Sequence, residues 1–217
     1  MGIFDQIFKN KKEKEYEKTL VEVIVPSLKK IKEIKEREVR EFFMTILDAA
    51  ERSLRGILFM SPKELRLEKE LTKEEIDFWI RKVSLALIAY SYYFFSINEL
   101  MSPLEQSLTR FSYELYWQRM FNTYNKIFEE NITKKDIEYY AAGLKEDIEK
   151  GYSEFGDVEK ILESTARDYK TIGTELFEKI WKEDANSNEE KVFFLGVRIW
   201  QAHQQIVQPF LLELLNL

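Results

Sequence analysis

No cysteine occurs in the 217 residues. That excludes a disulfide framework, a thiolate metal site and a cysteine nucleophile. It fits a reducing compartment, and the expected location is the cytoplasm. Glycine and proline are nearly as scarce, at 7 and 4. A β-sandwich or barrel of this length needs many more turn residues. Histidine occurs once, at position 203, so no multi-histidine metal site can form. Long apolar runs are missing too. The nearest is VSLALIAYSYYFFSI, residues 83–97, shorter than the ~20 residues that cross a bilayer. Charged or polar residues close both of its ends, so it reads as a helix buried on all sides. No GxSxG, HExxH, Walker A or GxGxxG motif is present. The start, MGIFDQIFKN, has no leader pattern because Asp5 interrupts it. Gln6 stands where N-myristoylation wants Ser or Thr.

What is present is apolar and charged residue, at 45% and 33%, a globular balance rather than a disordered one. Net charge is −6, unevenly spread. Residues 1–40 hold eleven Lys/Arg against eight Asp/Glu, a local balance of +3, which leaves −9 for the remainder. An acidic chain of this kind is not expected to bind nucleic acid.

Apolar residues recur three and four apart throughout, as in Leu28, Ile31, Ile34, Phe42, Ile46, Ala50, Leu54 and Ile57. No period-2 run bounded by turn residues appears. The expected fold is all-α: a single-domain antiparallel helical bundle of about seven to eight helices with no sheet. Residues 1–10 form a short amphipathic N-terminal segment and residues 11–217 a single all-helical domain. Helices are expected near 11–25, 27–60, 62–70, 73–101, 103–130, 134–150, 157–183 and 188–216. Pro26 breaks or kinks the first join, Pro209 bends the last helix, and the 73–101 and 188–216 helices lie at the centre.

Capping boxes set these starts. FMSPKEL at 59–65 and LMSPLEQ at 100–106 look like a repeat. Their shared residues are those a helix N-terminus requires: an oxygen acceptor, a proline with no N–H to lose, and a reciprocal glutamate. Thr72–Glu75, Ser187–Glu190 and Thr133–Asp136 repeat the pattern without the proline.

Four constellations carry possible chemistry. Glu38 and Glu41 share one helix face, and Glu74 and Asp77 another. Two such pairs packed together hold Mg²⁺ for attack on a phosphate. This ExxE/ExxD pattern resembles that of the MazG-type all-α nucleotide pyrophosphohydrolases, which implies a Mg-dependent hydrolase with those four ligands. Aromatic residues gather at Tyr90, Tyr93, Tyr113 and Trp117; with His203 they are candidates to line a cavity for a small apolar ligand. Ile3, Phe4, Ile7 and Phe8 make an apolar edge beside Lys9, Lys11, Lys12 and Lys14, a candidate for partner contact or for transient contact of residues 1–14 with an anionic membrane surface. Finally, an aromatic or charged helix face suits a partner protein or a second copy.

The leading expectation is a soluble, non-catalytic helical protein-interaction or regulatory domain with no cofactor. The alternatives are a binding protein for a small apolar ligand and the Mg-dependent hydrolase.

Overall fold

The computed structural model describes residues 3–60, 70–97, 103–150 and 158–215. Side chains at 3–12, 60, 94–97, 103–114, 148, 158, 161 and 214–215 are outside that description. Among the described residues there is no strand. The helices are α1 (Ile3–Lys32), α2 (Arg37–Arg55), α3 (Lys73–Ile97), α4 (Pro103–Phe128), α5 (Lys134–Tyr140), α6 (Ala142–Lys150), α7 (Val158–Leu176), α8 (Glu189–Ala202) and α9 (Gln208–Leu215). A π turn joins α8 to α9, so they form one rod of eight. The all-α bundle is as expected, and no described helix is long and apolar enough to cross a membrane.

α3 is the axis. Every residue from Val83 to Ser91 is buried, because α1, α2, α5, α6 and α7 all pack around it. α2 covers one side with Val39, Phe42, Phe43, Ile46, Leu47, Ala50 and Leu54. The indole Nε1 of Trp79 donates to the Ala50 carbonyl at 3.1 Å, which fixes α3 on α2. The α8–α9 rod differs from expectation. It buries one stripe, Val192, Leu195, Ile199, His203, Val207 and Leu211, and leaves Phe193, Gln204 and Gln205 exposed.

Pro26 behaves differently from its sequence reading. α1 runs unbroken through Pro26, which lies on its exposed side. The stripe Tyr16, Leu20, Val23 and Ile31 is buried against the body. Burial of four large side chains outweighs the ~3 kcal/mol a mid-helix proline costs. The backbone of residues 3–10 continues α1, with no break at residue 10. The break falls at residues 33–36, which contain neither Gly nor Pro. There the Ile34 N–H bonds Ile31 O at 3.0 Å, and the Arg40 guanidinium takes the Ile34 carbonyl at 3.0 Å. Ahead of Pro209 the chain widens into a π turn, His203–Val207, whose Gln208 N–H reaches His203 O. A proline ring collides with the carbonyl four residues back in a regular helix, and the wider turn relieves that.

Two capping boxes are as expected. Thr72 N–H donates to Glu75 Oε2 at 2.9 Å and Glu75 N–H to Thr72 Oγ1 at 3.2 Å. Thr133 N–H and Oγ1–H both donate to Asp136 Oδ2 at 2.7 Å. The third is different: Ser187 donates to Asp184 Oδ2 at 2.7 Å inside a 3₁₀ turn that precedes α8. The 134–150 helix is cut at Ala141 (φ −126°, ψ 35°) into α5 and α6. Ser61, Ser102 and the 62–70 helix up to residue 69 lie outside the described residues.

Candidate functional sites: a sealed polar core and an open basic groove

His203 sits in the π turn between α8 and α9, fully buried. Its Nε2 lies 3.1 Å from Ser91 Oγ, and Ser91 donates its own proton to Leu87 O at 2.8 Å. When Ser91 gives its proton to Leu87 O, Nε2–H donates to Ser91; when Ser91 turns its proton to the ring, Nε2 accepts. The ring stacks on Trp200 at 5.3 Å and meets the edge of Tyr90 at 6.0 Å. Burial lowers its pKa to about 3, so the imidazole is neutral. This is an internal strut between α3 and the C-terminal rod.

The aromatic candidates divide into two groups. Tyr90 belongs with His203 and Trp200, and its hydroxyl reaches the Asp168 carbonyl at 3.5 Å. Trp117 and Tyr93 belong to a separate cluster around Tyr92. Trp117 lies 5.6 Å from Tyr92 and 6.0 Å from Phe42, and Tyr92 lies 4.9 Å from Tyr93. Rings fill one another's space in both groups, and none of these residues lines either cleft described below. The side chain of Tyr113 lies outside the described residues, as do those of Ile3, Phe4, Ile7 and Phe8.

The four carboxylates do not form a cage. Glu41 is bonded to Arg37 one turn earlier at 2.6 Å, and Asp77 to Arg81 at 2.5 Å. Glu38 and Glu74 are exposed, and Glu74 shares a cleft with Asp77 but with neither residue of the other pair. Among the described residues no group of three or more His, Asp or Glu is placed to hold a metal.

Two other carboxylates are more deeply buried. Asp168 of α7 accepts the N–H groups of Gly143 at 2.7 Å and Leu144 at 3.0 Å, so it caps α6 from a neighbouring helix. Burial pushes its carboxyl up to about 7, against the pull of those two donors and of Arg167. Asp147 of α6 accepts Ser164 Oγ–H, at 2.6 Å to Oδ2 and 2.7 Å to Oδ1, and burial raises its pKa as well. Nothing local marks either residue, since their partners lie 17 to 25 positions away.

Glycine makes this closeness possible. A Cβ on Gly143 would lie 2.0 Å from Ser164 O; on Gly173, 2.1 Å from Val192 O; on Gly196, 2.2 Å from Tyr169 O. The last two are reciprocal, each helix offering a glycine to the other's carbonyl four residues along.

The open surface has a different character. A groove of ≈ 700 Å³ runs between the α1–α2 connection and α4. Ile34, Val39 and Ile127 give it an apolar base. One wall carries Glu33, Lys35 and Glu36; the other carries Arg119, Asn122, Thr123 and Lys126 of α4. Lys30 closes one end and is committed: its ammonium bonds Ile127 O at 3.1 Å and Glu129 at 2.6 Å, which caps the C-terminus of α4. Lys35, Arg119 and Lys126 are exposed and make no ion pair among the described residues.

Comparison with protein-family models, with curated proteins and with solved structures finds no match to this chain.

Proposed function

We propose that this chain is a helical interaction domain that engages a partner protein through the groove between α4 and the α1–α2 connection. One observation carries the reading. In a chain of net charge −6, three cations with no ion pair among the described residues surround an apolar base on an open face. Arg37, Arg52 and Arg55 are each matched by a carboxylate four residues away, whereas these three are not, and they stand together around apolar side chains. Unmatched charge beside apolar surface gains most from a partner that supplies both complements. The side chains with catalytic potential support the reading from the other direction. His203, Asp168 and Ser91 are sealed, and each is bonded to another part of the protein.

A photo-crosslinking amino acid at Asn122, exposed within the groove, tests this in cells. Adducts of defined mass are expected from Asn122 and not from a control at Glu163 on the exposed side of α7. They are expected to disappear when Lys35, Arg119 and Lys126 are all replaced by Glu. Adducts that survive this charge reversal, or that form equally at Glu163, refute the reading.

A further inference from the structure

The groove's cationic wall has a spacing that selects a kind of partner. Arg119, Asn122, Thr123 and Lys126 fall at intervals of three, one and three on α4. They form one stripe, with Arg119 and Lys126 about 10.5 Å apart along the helix axis. An extended chain presents same-face groups every ~6.6 or ~13 Å, out of register with that spacing. A helix laid alongside presents residues i and i+7 at the same ~10.5 Å, on one face and within ~20° of each other.

The opposite wall differs in sign. Glu33 and Glu36 flank Lys35 there, so the two cations of α4 form the wall of consistent charge. Between the walls lies a short apolar strip, in which Ile34 is half-buried and Val39 and Ile127 are buried beneath it. It matches the residues at i+3 and i+4 that lie between i and i+7 on a helix.

From this we infer that the groove binds an amphipathic acidic helix. Two carboxylates seven residues apart pair with Arg119 and Lys126, and apolar residues between them pack on Ile34, the half-buried apolar side chain of the groove. The inference rests on the interaction reading above. It adds that the partner segment is helical, acidic along one edge, and docked parallel or antiparallel to α4.

The test uses the full-length protein and a capped, fluorescent helical peptide. The peptide has glutamates at i and i+7 and leucines at i+3 and i+4. A control peptide has the second glutamate moved to i+5, off the face. Anisotropy is expected to report saturable binding of the first peptide and at least ~10-fold weaker binding of the control. Arg119→Glu with Lys126→Glu should abolish binding. A peptide with both glutamates changed to lysine should restore it to that variant. Both positions are exposed and make no ion pair among the described residues, and an unchanged thermal midpoint confirms that the variant is folded.

Equal binding of both peptides, or no rescue by the charge-swapped pair, overturns the inference. So does preferential binding of inorganic phosphate, an oligonucleotide or anionic vesicles that competes the peptide away. If the Asn122 adducts depend on groove charge but the acidic peptide does not bind, the partner assignment fails and the interaction reading stands. If the adducts ignore groove charge, the interaction reading itself fails.

Discussion

Replacing Gly196 or Gly173 by alanine tests the close contact between α7 and α8. The new Cβ of Gly196→Ala would stand 2.2 Å from Tyr169 O, and that of Gly173→Ala 2.1 Å from Val192 O. A relaxed carbon–oxygen contact is ~3.3 Å, so the helices must part by about 1 Å. The obstructing atoms are backbone, so no rotamer change relieves the overlap. Opening the seam loosens Ile172, Leu176, Val192, Leu195 and Ile199, all buried. A gap of 0.5–1 Å forfeits about a quarter to a half of each contact's dispersion energy. Overpacking costs ~1–3 kcal/mol or more, and the gain in helix propensity returns ~1 kcal/mol. A net loss of ~2 kcal/mol is expected for each single variant. Reciprocity sharpens this. Once one alanine has separated the helices the second meets less resistance, so the double variant should cost well under the sum of the singles. Gly56→Ala is the control. A Cβ there meets nothing within 4 Å, and the backbone is right-handed helical at φ −58°, ψ −43°, so stability should rise by up to ~1 kcal/mol. Urea unfolding followed by tryptophan fluorescence measures all four proteins. Neutral single variants, or strictly additive losses in the double, would refute the contact geometry.

Asp168 and His203 give opposed pH dependences. Asp168 has a folded pKa raised to about 7 over ~3.9 unfolded, so the stability it contributes is fullest below pH ~4 and is lost as pH rises through 7. His203 has a folded pKa lowered to about 3 from ~6.5 unfolded, so its contribution is present above pH ~6.5 and is lost as pH falls towards 3. Between pH ~4 and ~6.5 the two slopes, each ~1.4 kcal/mol per pH unit, cancel. In the same window the stability of wild type relative to Asp168→Asn should fall by ~1.4 kcal/mol per unit as pH rises; a constant difference in urea midpoints shows that Asp168 does not titrate there. Lys182, exposed and left-handed at φ 58°, should gain ~1 kcal/mol on Lys182→Gly; a loss in the thermal midpoint would argue that the turn is set by something other than backbone preference. Thr72→Ala removes the acceptor of the Glu75 N–H and should cost ~1 kcal/mol in the same assay; a neutral result would mean that water replaces the cap.

What could be read from sequence was what acts over a few residues. The boxes at Thr72 and Thr133 close within three positions, and the buried run at 83–91 shows as a stretch without charge. Pro26 misled because the local penalty is visible in sequence, while the four-residue stripe that outweighs it depends on which helices lie opposite. Ser187 misled for a similar reason: Asp184, three residues before it, offers its hydroxyl a nearer acceptor than the helix offers a use. Of the candidate sites, Tyr90 and His203 do meet, but as packed partners and not as cavity walls. Asp168 and Asp147 look like ordinary surface acids until their distant donors are placed. The basic groove needs the α1–α2 break at 33–36, which no glycine or proline announces. Lys35, Arg119 and Lys126 are spread over some ninety residues of sequence, so only the fold makes them neighbours.

The π turn at His203–Val207 also governs how the last rod tolerates a change in length. Ile199, His203, Val207 and Leu211 step by fours, and in an unbroken α-helix such a series drifts ~40° around the axis at each step. The wider turn winds the drift back and keeps Leu211 in phase with Ile199. Deleting one exposed residue of the turn would leave a regular helix in which Leu211 stands eleven positions after Ile199, within ~20° of its phase, so the buried stripe would survive. The rod should therefore tolerate loss of one residue within 203–207 and not within the regular turns of α8, where the same deletion rotates everything beyond it by ~100°.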